Sequence, residues 1–354
     1  MKQEKDASGK NGEQENLQEP CAPVEVPEPG FSAKSLAVAL VLLCIAGAGI
    51  YFLLKWNSDS TSMSTTYNLK EFEKTRPEII LFDELKPIPA GFKRASCTAI
   101  GPDGLIYAGG DTQVSVFDME GRKLWQIDLQ IRPTCIAVAD NKDIFVGSSS
   151  QVSVFNKEGA DTRTWKFEKG SIITGISLAG KKVFIADAGK KMVHVKDLDS
   201  PEKEEHKIGV ASKETGDDGI VVYSPFLDVT ASDNDLVFVT DPGRHRVKLY
   251  SYSGGLVSTW KSNPTPAIEG FSGCCNPTYI ALRPDGSIVT SEKAIPRIKL
   301  YSSTGEFIGV VAPPESFSDS QSPCDVAVDR NGGVYVMDSA KGNIRIFVEK
   351  QKVK

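Results

Sequence analysis

Histidine is scarce in this chain, with three residues in 354. A histidine-rich metal centre is therefore not expected, since His194 falls within a predicted strand and His206 within a charged stretch. The sequence also lacks the GxSxG, HExxH and GxxxxGK-Ser/Thr motifs that mark three large groups of enzymes and nucleotide-binding proteins. The formal net charge is −5, so there is no basic surplus that would favour a nucleic-acid partner.

The N-terminal part divides into a polar and an apolar segment. Residues 1–34 are rich in Glu, Lys, Gln, Pro and Gly and contain one Phe, a composition that predicts a disordered tail. Leu36 to Leu54 carries no charge, and these 19 residues would span roughly 28 Å as a helix, close to the thickness of a bilayer core. We therefore predict a transmembrane helix over 35–56. A cleaved signal peptide ending near Ala46-Gly47-Ala48 is the alternative, but its polar preface would be long.

From about residue 77 onward one pattern repeats six times. Its third strand reads VSVF, VSVF, VHVK, VKLY, IKLY and IRIF, beginning at Val114, Val152, Val193, Val247, Ile298 and Ile344. Spacings of 38, 41, 54, 51 and 46 residues are typical of propellers or repeat arrays. Alternating β-branched and aromatic residues, separated by turns such as PDG and NGG, exclude helical repeats.

Each copy supplies four antiparallel strands, which make one propeller blade. The last copy has no fourth strand of its own, and we expect Glu78 to Asp83 to supply it and close the ring. The predicted fold class is all-β: a six-bladed β-propeller over 77–349. A linker over 57–76 precedes it and a basic tail over 350–354 follows it.

The repeats carry a family resemblance. PCDVAVDRNGGVYVMDSAKGNIRIF (323–347) resembles the repeat of NHL-type β-propellers, and 277–301 and 226–250 follow the same pattern. The GCCNP and TSEKxxPRIKxYS stretches are also similar to a group of membrane-anchored bacterial NHL proteins. This resemblance implies a domain outside the cytoplasm and brings no known reaction with it.

The resemblance and the apolar run together predict a location. Because the apolar run is the first export signal, we expect the polar tail in the cytoplasm. The propeller would then lie on the periplasmic side of the inner membrane, held by a single-pass anchor.

An acid ends the second strand in four copies: Asp187, Asp241, Glu292 and Asp338. Repetition at one blade position favours turn capping and pairing between blades over catalysis. Only Glu292, followed by Lys293, departs from the Asp pattern, so these two keep some functional weight.

The cysteines beyond residue 77 gather at one level of the predicted fold. Alignment of the inner strands puts six residues in one column: Cys97, Cys135, Gly175, Asp228, Tyr279 and Asp325. Because inner strands line the central channel, this column forms a ring around it. Cys324 adjoins the ring and Cys275 lies four residues before Tyr279. All five cysteines are therefore expected at one channel mouth.

This mouth is the predicted functional surface, and its residues are Cys274, Cys275, Cys324, Asp325 and Asp228, with Glu292 and Lys293 at lower rank. The last two rank lower because they lie at the far end of the hairpin's second strand, from which they would reach the mouth only if the loop folds inward. Thiolates select soft metals or exchange with other thiols, so a soft metal ion held by the three cysteines is one interpretation. Plain packing of small residues is another, and a disulfide from Cys274 or Cys275 to Cys324 is a third.

Two functions fit these observations. The first is a membrane-tethered binding module that takes a protein or a small molecule at the channel mouth. The second is an extracytoplasmic enzyme, or a metal-binding or thiol-redox protein, that uses the cysteines and carboxylates. The sequence shows only an incomplete set of metal ligands and acid–base groups, so it favours the binding module.

Overall fold

The structure is a computed structural model. It describes residues 74–351 apart from 201–203, 261–264, 266, 274 and 319–321, and near the N-terminus it describes 33–34, 37–38, 40 and 42–48. The two units into which the chain divides, 1–66 and 67–354, are taken separately below.

The described residues of the N-terminal unit are helical. None of the helices among the described residues combines the length and the apolar character needed to cross a bilayer. Most of the predicted tail over 1–34, much of 35–56 and the linker over 57–73 lie outside the described residues.

The C-terminal unit is built almost entirely from strands. In chain order they are β1 (Phe82–Glu84), β2 (Ile88–Pro89), β3 (Ala95–Ile100), β4 (Ile106–Gly110), β5 (Gln113–Phe117), β6 (Lys123–Asp128), β7 (Cys135–Val138), β8 (Ile144–Ser148), β9 (Gln151–Phe155), β10 (Asp161–Lys166), β11 (Ile173–Ala179), β12 (Lys182–Asp187), β13 (Met192–Asp197), β14 (Glu204–Ile208), β15 (Val229–Ser232), β16 (Leu236–Asp241), β17 (Arg246–Ser251), β18 (Leu256–Thr259), β19 (Tyr279–Leu282), β20 (Ile288–Glu292), β21 (Arg297–Tyr301), β22 (Phe307–Ala312), β23 (Asp325–Val328), β24 (Val334–Asp338) and β25 (Asn343–Glu349). Short 3₁₀ turns occur at Pro77–Ile79, Pro242–Arg244 and Pro314–Ser316.

These strands form six antiparallel sheets, which confirms the six-bladed β-propeller. Blades 1 to 5 are β3–β6, β7–β10, β11–β14, β15–β18 and β19–β22. Blade 6 joins β23–β25 to β1. The predicted hairpin turns are present as well, with Gly286 of PDG and Gly332 of NGG at φ 83° and 82°, a backbone conformation that glycine adopts without steric cost.

The N-terminal segment closes the ring as expected, but with shifted bounds. β1 pairs with β25 through Phe82 opposite Glu349 and Glu84 opposite Phe347. Glu78 and Ile79, predicted as the start of this strand, instead belong to a 3₁₀ turn that begins at Pro77. Proline lacks the N–H that a sheet ladder needs and suits the first position of such a turn.

The charged stretch over 197–224, which contains His206, combines a strand with a loop. Glu204–Ile208 forms β14, the fourth strand of blade 3, and only the connection after it, 209–228, is a long loop. The outermost strand of a blade is the one most open to solvent, so charged residues there do not prevent pairing. His206 therefore lies on a strand, where its Nε2 lies 2.7 Å from the carbonyl oxygen of Tyr252.

The hydrophobic core lies between neighbouring blades. Ile136 and Val146 of blade 2, for example, pack with Val114 and Val116 of blade 1. Burial of a side chain of this size stabilises the folded state by roughly 1.5–3 kcal/mol. The repeated alternating strands thus hold each blade against the next and leave a channel along the axis.

Candidate functional site

The predicted column of inner-strand residues exists. Each member of the column lies at or near the start of an inner strand. In each blade this point faces the end of the second strand. Cys97 pairs with Gly109, and Cys135 with Gly147. All six blades therefore present one residue at the same level of the channel.

Two aspartates of this column link neighbouring blades. Asp325 Oδ1 accepts the N–H of Val326 at 2.9 Å, and its Oδ2 accepts the N–H of Thr98 in blade 1 at 2.8 Å. Asp228 has the same arrangement, with Oδ2 2.9 Å from the N–H nitrogen of Ile280 in blade 5. Each carboxylate thus accepts one bond from its own strand and one from the next inner strand.

The carboxylate of Asp228 occupies space that is free only because the neighbouring residue, Gly175, has no side chain. A Cβ atom at Gly175, the member of the column in blade 3, would overlap Asp228 Oδ1. Glycine at position 175 of blade 3 therefore leaves room for the carboxylate of Asp228 in blade 4.

Burial raises the pKa of both carboxyl groups. The pKa of Asp325 rises to about 7. The pKa of Asp228 rises well above its ordinary value, through burial and then through the negative charge of Asp325. Neither carboxylate has an ion-pair partner among the described residues, so the two acids lack a counter-charge.

The acids border a cavity of about 300 Å³ that is lined by the six inner strands and open to solvent. Its accessible surface is mostly polar. Asp228, Asp325 and hydroxyl groups contribute to it, and the other lining side chains are aliphatic apart from the Cys135 thiol. The hydroxyl-bearing residues are Thr98, Thr174, Ser177 and Thr230. None of the described residues that line the cavity is basic. Such a cavity favours a small ligand that carries positive charge or hydrogen-bond donors over an anion.

The described cysteines of the propeller are buried. Cys97 Sγ lies over Gly109 and Cys135 Sγ over Gly147, where a Cβ atom would overlap each sulfur. Burial raises the pKa of the Cys97 thiol, with a contribution from Asp325, and likewise raises that of Cys135. A protonated thiol is a poor nucleophile and a poor metal ligand. These two cysteines therefore pack the space between blades.

The GCC pair is described only in part. Cys274 lies outside the described residues, and Cys275 is buried. Cys324 is a free thiol, so the disulfide given as the third interpretation is not formed, and burial raises the pKa of Cys324 to about 12. Among the described residues, no group of three or more His, Cys, Asp or Glu could hold a metal ion.

Glu292 ends the second strand of its hairpin, as expected, but the inference that this end lies away from the mouth was wrong. Tyr279 pairs with Ser291, so the end of β20 lies beside the start of β19. Glu292 nevertheless points into the blade, where its Oε1 lies 3.0 Å from Arg297 Nε and 2.7 Å from Lys299 Nζ. Burial alone would raise the pKa of Glu292, but the two cations lower it.

This buried group holds the connection that enters blade 5. Ser272 donates its N–H to Glu292 at 2.9 Å, and Lys299 Nζ donates to the carbonyl of Gly270 at 2.5 Å. Burial lowers the pKa of Lys299 to about 7. The sequence contained a signal for this lysine, since Lys248 occupies the same position in VKLY as Lys299 in IKLY, but our site prediction missed it.

Lys293 lies at the channel mouth. Its Nζ lies 4.7 Å from the ring centroid of Phe226 and 3.3 Å from Ser224 Oγ. Phe226 in turn makes an edge contact with Tyr279 of the column, at 6.2 Å between ring centroids. Sequence reasoning missed Phe226, which precedes the inner strand of blade 4 and covers that of blade 5.

Two of the remaining acids of the repeated position, Asp187 and Asp241, have structural roles, as repetition suggested. Asp187 accepts the N–H of Ile172 at 2.9 Å, and Asp241 accepts that of Val221 at 2.8 Å. Both donors belong to the connection that enters the blade. These acids therefore fix connections at the mouth.

Comparison with known proteins identifies the fold. No protein-family model matches the sequence, and no curated protein matches it. A streptogramin B lyase structure aligns with a TM-score of 0.55 and 12% identity over 77% of this chain and 99% of that one. A protein of unknown function from Bacteroides thetaiotaomicron VPI-5482 aligns at 0.58 and 14% identity, over 76% of this chain and 72% of that one. Virginiamycin B lyase from Staphylococcus aureus aligns with a TM-score of 0.50 and 13% identity, over 72% of this chain and 80% of that one. At this identity the likeness shows the propeller fold alone.

Proposed function

We propose that this protein is a binding module that takes a small organic cation in the channel beside Asp228 and Asp325. The observation that carries the proposal is a cavity of about 300 Å³ lined by all six inner strands, with two buried carboxyl groups and no basic lining residue among those described. This volume lies at the lower end of the range for small-molecule sites. A primary ammonium group would supply the missing counter-charge and donate to both carboxylates, while its alkyl part contacts the aliphatic walls.

Location and family complete the proposal. The uncharged run over 36–54 supports a single-pass membrane anchor, and the pattern over 323–347 supports an NHL-type propeller. With the anchor as the first export signal, the propeller binds its ligand on the periplasmic side of the inner membrane.

Thiol or metal chemistry is the weaker proposal. It requires thiolates, whereas burial raises the pKa values of Cys97, Cys135 and Cys324. The lyase names of two structural neighbours belong to those proteins. They do not carry over, because the similarity extends to the fold only.

The test is calorimetric titration of the full-length protein with alkylammonium ions from methyl to hexyl, beside the matched neutral alcohols. We expect one or more ammonium ions to bind at pH 7.5 and the alcohols to bind at least tenfold more weakly. Asp228→Asn and Asp325→Asn should each weaken binding at least tenfold. Asp83→Asn, an exposed site on β1, should leave it unchanged. Equal affinity in the double Asn variant, or no binding of any ammonium ion, would refute the proposal.

A further inference from the structure

Blade 5 shows how the propeller fills the groove between two blades. The connection that enters it folds over the face turned toward blade 4. Glu292, at the end of β20, accepts an N–H from this connection, and Lys299, on β21, donates to one of its carbonyls. An acceptor and a donor on two paired strands therefore bind a stretch of backbone.

Blade 4 repeats this arrangement. Asp241 accepts the N–H of Val221 at 2.8 Å, and Lys248 Nζ donates to the carbonyl of Gly219 at 2.7 Å. The register is the same in both blades, because Asp241 pairs with Arg246 in blade 4 and Glu292 pairs with Arg297 in blade 5. In both blades the occupant of the groove is polypeptide.

Blade 2 has residues at the equivalent positions, but no described segment of backbone lies in the groove beside them. Ser148 pairs with Gln151, as Glu292 pairs with Arg297 in blade 5. Ser153 lies two residues further along β9, at the position that Lys299 has in blade 5. The connection over 129–134 is short. It leaves a groove of about 410 Å³ between blades 1 and 2. The serine hydroxyls and the amide of Gln151 offer both acceptors and donors, but without charge.

A strand edge borders this groove. β6 is the outermost strand of blade 1, and the consecutive residues 126–131 line the groove. The molecule already adds backbone to such an edge elsewhere. Ile80 forms a parallel bridge with Val310 of β22, the outermost strand of blade 5, with Leu81 N–H donating to the Val310 carbonyl at 2.9 Å.

The lining of the groove indicates the side chains of its occupant. Ile127 and Phe155 form a buried apolar floor, and Ile131 is 42% exposed at one end. Asp128 and Asp161 are exposed at the rim, and none of the described lining residues is basic. This combination fits an extended segment that carries an aliphatic residue and a basic one.

We propose that the groove between blades 1 and 2 docks an extended peptide segment of a partner protein. The segment pairs with the edge of β6, and its other edge bonds to Ser148, Gln151 and Ser153. This site is separate from the channel, so it stands or falls independently of the ligand proposed there.

The probe is a randomised linear peptide library displayed on phage. It is selected against the full-length protein and counter-selected against Ser153→Trp, in which the indole fills the groove. A selected peptide is then synthesised and its affinity measured by fluorescence polarisation. Ser258→Trp, at an exposed serine of β18, is the matched control. We expect Ser153→Trp to weaken binding at least tenfold and Ser258→Trp to change it less than twofold.

Hydrogen–deuterium exchange of the wild-type complex covers the case in which Ser153→Trp fails to fold. Slower exchange is expected in the peptide that contains β6, and N-methylation of alternate peptide residues should abolish binding. Enrichment of no groove-dependent peptide, binding unaffected by Ser153→Trp, or unchanged exchange in β6 would each overturn the proposal. Binding of a glycan instead of a peptide at this groove would overturn it as well.

Discussion

Asp325 carries a carboxyl group with a pKa raised by burial to about 7, whereas the same group titrates near 4 in an unfolded chain. The folded chain therefore holds more protons than the unfolded chain between about pH 4 and 7. This contribution to stability is fully present below pH 4 and is lost as the pH rises through 7. We expect the urea midpoint to fall from pH 5 to pH 7, and Asp325→Asn to flatten that slope. Parallel profiles for the two proteins would contradict the assignment.

Gly175 gives a second test at the residue scale. In Gly175→Ala the new Cβ would overlap Asp228 Oδ1, and overpacking of this kind costs roughly 1–3 kcal/mol. Chemical denaturation measures the loss. Gly255→Ala is the control, because only the end of the Ser251 side chain approaches its Cβ, and it should cost less. Equal stability of Gly175→Ala and the wild type would show that Asp228 is not fixed at this position.

At the scale of elements, the connection that enters blade 5 depends on Lys299. This buried lysine contacts Glu292 and the carbonyls of Gly270 and Ile268. Removal of one partner from a buried ionic group typically costs about 3–5 kcal/mol. Lys299→Met should lose a similar free energy of unfolding and make the connection sensitive to protease. Lys166→Met, on the exposed side of β10, is the control and should change neither. A resistant connection in Lys299→Met would show that other contacts hold it.

The comparison of sequence and structure is also clearest for elements. The six third strands, the inner column and the closing segment could be predicted, because each follows from alternation and from one repeating register. β14 was hidden because EEHKI is charged, although an outer strand tolerates charge. Glu292 was misplaced because its distance along the hairpin was taken as distance in space. The channel cavity and the position of Phe226 arise from contacts between blades that a repeat pattern does not specify. The ionic group around Lys299 lies within blade 5 and the connection that enters it, and the repeated lysine of VKLY and IKLY was its signal.

For the whole molecule, ring closure joins the two ends of the propeller sequence. β1 is the fourth strand of blade 6, and Arg345 of β25 forms two hydrogen bonds of 2.7 Å with Glu84 of β1. Deletion of residues 1–87 should therefore open the ring and abolish cooperative thermal unfolding, as followed by circular dichroism. Deletion of 2–34 is the control and should leave the propeller transition unchanged. A cooperative transition at the wild-type temperature after the longer deletion would mean that β1 is dispensable.

The central claim is that a cation binds in the channel as the counter-charge of buried carboxylates. The most direct measurement is the number of protons released on binding. It is obtained by calorimetric titration of the full-length protein at pH 6.5 with the tightest-binding alkylammonium ion, in two buffers of different ionisation enthalpy. At this pH Asp325, with its pKa of about 7, is mostly protonated, and a bound cation favours the ionised form. We predict a net release of protons in the wild type and a smaller release in Asp325→Asn. Binding without proton release, or an equal release in both proteins, would contradict the account.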